Sequence, residues 1–83
     1  MTSEQIENFL SKHLLDNTEI RINFKSRNAV KGIFIQTNDF NELKSKNFWR
    51  IVGEQHIPEF KKTKDINLAK IFNGTEFTKL GLT

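Results

Sequence analysis

Residues 19–43 read EIRINFKSRNAVKGIFIQTNDFNEL. Ile20, Ile22 and Phe24 alternate with Glu19, Arg21, Asn23 and Lys25, the period of two of a half-buried strand. Ser26, Arg27 and Asn28 make a polar turn. Residues 29–37 form a second strand that is apolar on both faces around Ile33, Phe34 and Ile35, which predicts a central position in a sheet. Gly32 inside that strand predicts a sharp bend or a close backbone approach. A strand bent at a glycine can serve two walls of a small barrel. The stretch ends in a polar tip, Asn38, Asp39, Phe40 and Asn41, with one aromatic ring among hydrogen-bonding groups.

Outward from this hairpin, residues 3–15 carry Ile6, Phe9, Leu10 and Leu14 at helical spacing, and Thr2 with Gln5 fits a capping box. Asp16 and Asn17 close that helix, and His13 falls at its apolar boundary. Lys44 to Asn47 read as a short basic loop, residues 48–52 as a third strand, and residues 53–59 as an irregular segment broken by Gly53 and Pro58. Residues 60–65 form a second basic loop. Residues 66–72 and 75–82 are a fourth and a fifth strand, with Asn73-Gly74 as a two-residue hairpin turn between them. One domain results: a helix over 3–15, then an all-β, five-stranded, strongly bent antiparallel small barrel over 19–82.

The chain has 83 residues, no cysteine and a net charge of +3. A domain this short is marginally stable alone and has no disulfide staple, so association is one route to stability. The composition is compatible with a cytoplasmic location. No run approaches the ~18 apolar residues of a membrane span, and MTSEQIENFL lacks the basic and apolar regions of a signal peptide. Eight Phe and one Trp without Tyr supply large core fillers.

Catalysis has little footing. His13 and His56 are the only histidines. Glu54, His56 and Glu59 could form a metal or acid–base group, but at no recognised ligand spacing. Nucleophile elbows and phosphate-cradling glycine loops are lacking, so neither enzyme activity nor a cofactor or metal is expected. Binding has more. Lys44, Lys46, Arg50, Lys61, Lys62 and Lys64 surround the third strand, and Arg21, Lys25, Arg27 and Lys31 decorate the first hairpin. Such groups attract phosphates, and an aromatic at a loop tip, here Phe40, can stack on an unpaired base.

Taken together, Ile20–Phe24 with Val30-Lys31-Gly32 and the Asn38–Asn41 loop, followed by the second motif KIFNGTEFTKL at residues 70–80, resemble the Sm-like (Sm/LSm/Hfq) family, of divergent bacterial type. A helix ahead of the first strand is a further point of likeness. The acidic position of the family loop falls on Asn38, with Asp39 one later; Asn41 and Glu42 stand where the eukaryotic branch has methionine-asparagine; Asn73 stands where the second motif has arginine before its glycine; and the Tyr-Lys-His signature of Hfq is absent. The resemblance implies an SH3-like barrel that joins its fourth strand to the fifth of the next copy in a homo-oligomeric ring binding single-stranded RNA. Phe40 would then stack, Asn41 and Asn73 would bond base edges beside Asn38, Asp39 and Gly74, and Lys44, Lys46 and Arg50 would hold phosphates. The rival reading is a small barrel that serves as a protein-interaction or scaffold module without nucleic acid.

Overall fold

Thr2 opens the first helix. In the computed structural model, which describes residues 1–13 and 17–83, its hydroxyl accepts from the Gln5 N–H at 3.1 Å, and the Gln5 side chain accepts from the Thr2 N–H at 2.9 Å. This is the expected capping box. Helix α1 runs Ser3–Leu10 and buries Ile6 and Leu10. It is shorter than the predicted 3–15. After Leu10 the bonds tighten to the three-residue type, Lys12 N–H to Phe9 and His13 N–H to Leu10. Leu14, Leu15 and Asp16, the end of the predicted helix, lie outside the described residues.

The first hairpin forms, with β1 at Ile20–Phe24 and β2 at Val30–Phe34, the second strand ending three residues short of the predicted Thr37. Ile20 faces Gly32, Arg21 faces Lys31 and Ile22 faces Val30. Gly32 makes the close approach its place in the strand predicts: a Cβ there would stand 2.5 Å from the Val52 carbonyl oxygen and 2.9 Å from Ile51 Cγ2. Strand β3 covers Phe48–Gly53, β4 Ala69–Asn73 and β5 Phe77–Leu82. The antiparallel sheet has the order β4-β3-β2-β1-β5, so β2 is central, as its two apolar faces require.

Two helices occupy segments expected to be loops. Helix α2, Phe40–Ser45, follows the Asn38-Asp39 turn directly, so the polar tip and part of the basic loop are helical. Helix α3, Ile57–Thr63, follows a 3₁₀ turn at Glu54–His56. Pro58 is no breaker there: it sits in the first helical turn, where a missing N–H costs nothing. Ile57 and Phe60 face inward one turn apart, and Lys64 ends the helix in the left-handed conformation, φ 59°. Residues 66–68, predicted as strand, form another 3₁₀ turn.

The sheet separates two cores. Under α1 lie Ile6, Leu10, Ile20, Ile22, Phe34, Trp49, Ile51, Phe77 and Leu80. Under α3 lie Ile33, Ile35, Val52, Ile57 and Phe60. Strands β2 and β3 contribute to both cores, Phe34, Trp49 and Ile51 on one side and Ile33 and Val52 on the other, so the sheet gains apolar burial on each face.

The expected Asn73-Gly74 hairpin does not form. Strands β4 and β5 do not pair; a 3₁₀ turn, Gly74–Glu76, carries the chain from one edge of the sheet to the other. A type I′ hairpin needs positive φ at both central residues. Asn73 has φ −87° and no glycine has positive φ. Gly74 is instead selected by clearance, since a Cβ would meet Asn47 Oδ1 at 2.2 Å and Ile6 Cδ1 at 2.6 Å. The sheet is therefore open rather than a closed barrel. It does curl. The Phe24 and Phe72 rings, on strands three apart in order, have centroids 5.9 Å apart, whereas three flat strand spacings would separate them by about 14 Å.

Candidate nucleic-acid interface

The residues singled out at the tip of the first stretch are in place, but most are engaged. Arg50, on β3, reaches Asp39 with two bonds, Nη2 to Oδ2 at 2.6 Å and Nε to Oδ1 at 3.3 Å. The Thr37 hydroxyl also donates to Asp39 Oδ1. The Arg50 guanidinium first, and the Thr37 hydroxyl second, hold the Asp39 carboxyl below its ordinary value. Phe40 does not project from a loop tip. As the first residue of α2 it packs edge-on against Trp49, 5.9 Å between centroids at 73°, half-buried against the larger core. Lys44 lies over the Phe40 ring at 5.8 Å and pairs with Glu7 of α1 at 2.6 Å. Lys46 is near Glu42 at 3.8 Å and is exposed. Asn38 and Asn41 are exposed.

Asn73 and Gly74 come from the far end of the chain to the same side. The Gly74 N–H donates to the Asn47 carbonyl at 2.8 Å. Asn47 is left-handed, φ 62°; its amide donates to the Met1 carbonyl at 3.0 Å, and its Oδ1 accepts the Trp49 indole N–H at 2.8 Å. Asn73 spends its side-chain oxygen on the turn, accepting from the Thr75 N–H at 3.0 Å and the Thr75 hydroxyl at 2.8 Å. The fold thus brings the β2–β3 and β4–β5 connections together, with Asn73 exposed and Gly74 buried. Beside Asp39 and Arg50 a shallow cavity of about 420 Å³ is bounded by Gln36, Thr37, Asn38 and Ile66.

A larger feature was not anticipated. A groove of about 920 Å³ opens between the β1–β2 turn and β4. Phe24 and Phe72 are among its walls, and the Arg27 guanidinium lies over both rings, at 5.0 and 5.9 Å from their centroids. Ile71 is 51% exposed at the edge, and Lys70, Glu54, His56 and Glu76 complete the rim. Arg27, Lys31 and Lys70 make no ion pair among the described residues. The signal in the sequence was an aromatic at the end of β1, an arginine in the adjoining turn and an aromatic near the end of β4; only the curl of the sheet joins them. Glu54 and His56 share this rim, but among the described residues no three His, Asp or Glu side chains are grouped to hold a metal ion. No helix among the described residues is long and apolar enough to cross a membrane.

No family model matches the chain, and neither a curated protein nor a solved structure is significantly similar to it.

Proposed function

We propose that this protein binds single-stranded RNA without catalysing a reaction, and that it acts as a homo-oligomer of Sm-like type. The observation that carries the reading is the groove in which Arg27 covers the Phe24 and Phe72 rings. Flat aromatic faces with an arginine plane and neighbouring lysines suit an unstacked base and its phosphate. The Asn38–Asn41 tip, Lys44, Lys46, Arg50, Asn73 and Gly74 form a second candidate contact, gathered around Asn47. In that contact the exposed amides of Asn38, Asn41 and Asn73 are the groups open to base edges, while Phe40 acts mainly as packing.

Assembly is supported by the edges. Strands β4 and β5 each have one unpaired side, and open edges template pairing with another chain. Among the described residues, the exposed large apolar side chains are Ile66, Ile71 and Leu82, all on or beside those two edges. A β4-to-β5 contact between copies is head-to-tail and closes into a ring when the rotation fits. Repetition around the ring would multiply a modest single-site affinity.

The same edges favour the rival reading, a scaffold module that engages proteins alone. Native mass with and without a short A/U-rich RNA separates the two. An oligomer that gains the mass of RNA supports the first reading; an oligomer that ignores RNA supports the second. Arg27→Gln should weaken RNA binding while leaving the oligomer intact; unchanged affinity in that variant would remove the groove from the RNA path.

A further inference from the structure

We infer a third RNA contact, on the outer face of β5, β1 and β2, where Arg21, Lys31 and Lys79 hold phosphates of the bound strand; this rests on the RNA reading above. The strand registers place the three cations together. Arg21 is directly opposite Lys31 across β1 and β2. Lys79 is opposite Asn23 across β1 and β5, one diagonal step from Arg21. Residues directly opposite share a face, and alternation puts Asn23 on the face of Arg21. That face is turned away from Ile20 and Ile22, which are buried in the larger core.

Nothing among the described residues neutralises this cluster. All three side chains are exposed, and none makes an ion pair or a side-chain hydrogen bond. Strands β1, β2 and β5 contain no acidic residue. The acids nearest along the chain are Glu19 to Arg21, Asp39 to Lys31 and Glu76 to Lys79, and none of them pairs with these cations. Helix α3 covers the part of this side that holds Ile33 and Val52 and leaves the cations open. Gly81, opposite Arg21 on β5, adds no side chain, and a Cβ there would meet nothing within 4 Å.

Like charges directly opposite, with Cβ atoms about 5 Å apart, destabilise a sheet. Lysine on an edge strand is a common guard against aggregation, which suffices for Lys79. It does not account for Arg21 and Lys31, which are on interior strands of the sheet. A partner with several negative charges at short intervals accounts for all three. The phosphate backbone of a single strand is such a partner, and the groove containing Arg27 opens from the same β1–β2 hairpin.

The test is the salt dependence of RNA binding by the full chain. A short A/U-rich oligonucleotide is titrated by fluorescence anisotropy against the parent and two variants, R21Q/K79Q and K79Q, which leave Lys31, a wall of the groove, unchanged. Each lost phosphate contact should make the slope of log K against log salt shallower by about 0.7, so by about 1.4 for the double variant. Its melting temperature should match or exceed that of the parent, because the like-charge pair is gone; K79Q, at an exposed edge, serves should the double variant fold poorly. Parallel salt slopes for the parent and K79Q, with RNA still bound, would overturn this surface and leave the proposed function standing. Absence of RNA binding by the parent itself would overturn both. Displacement of RNA from this face by polyglutamate, with equal losses in the variants, would assign it to acidic peptides and overturn the inference.

Discussion

The backbone N–H of Gly74 donates to the carbonyl of Asn47 at 2.8 Å, and the two residues are so close that the glycine has no room for a side chain. Through this contact the β4–β5 turn is tied to the network that joins Met1, Asn47 and Trp49.

Gly74→Ala tests that tie. The added carbon would stand 2.2 Å from Asn47 Oδ1 and 2.6 Å from Ile6 Cδ1. Asn47 holds two side-chain bonds and a left-handed backbone, so it cannot move aside cheaply. Overpacking of this kind typically costs about 1–3 kcal/mol. Urea denaturation should show a lower midpoint at unchanged slope. Equal stability would mean that the turn relaxes freely and that the Asn47 network is not what anchors it.

The Asp39–Arg50 pair gives a pH signature. Its bonds lower the Asp39 pKa in the folded state. The stabilisation is therefore complete above the ordinary aspartate value of about 3.9, and is lost as pH falls through the lower folded value. Asp39→Asn should melt below the parent at neutral pH, and the gap should close in strong acid. A gap that stays constant from neutral pH into strong acid would show that the pair contributes by shape rather than by charge. Side-chain exposures of 23% for Arg50 and 38% for Asp39 keep the effect modest.

Phe72→Ala removes one wall of the aromatic groove. Stacking of a base on an aromatic ring is worth about 1–3 kcal/mol, so RNA affinity should fall by roughly 5- to 150-fold. Phe72 also packs on the core, so circular dichroism must show that the variant is folded. Phe40→Ala provides the contrast: its ring is against Trp49, and it should lose stability more than affinity.

Ile71→Lys addresses assembly. Ile71 is 51% exposed on the edge strand β4, so the monomer should lose within about 0.5 kcal/mol. If copies join along this edge, sedimentation should show a smaller species at the same protein concentration. An oligomer of unchanged size would shift the contact away from β4.

The first hairpin was legible in the sequence because its information is local. Ile20, Ile22 and Phe24 set the period, and the apolar run around Ile33 to Ile35 announced a strand buried on both faces. Helix α3 was hidden because only Ile57 and Phe60 mark its inner side, and Pro58 reads as an interruption until its place in the first turn is known. Asn73-Gly74 has the chemistry of a hairpin turn, yet the glycine answers to Asn47 and Ile6, distant in the chain. The same holds for the candidate sites. Asn38 to Asn41 were readable as a polar tip, but the resting place of Phe40 depends on Trp49, and the alignment of Arg27 over Phe24 and Phe72 depends on the curl of the whole sheet.

The division of the interior by the sheet has a consequence in time. The cluster beneath α3 contains five buried residues, and α3 itself contributes two of them, Ile57 and Phe60. Detaching α3 breaks none of the pairings of β1 with β2 or β5. Amide protons of α3 should then exchange with solvent through a partial opening, while those of β1 and β2 wait for global unfolding. The molecule has two clocks, and the faster one belongs to the segment between β3 and β4.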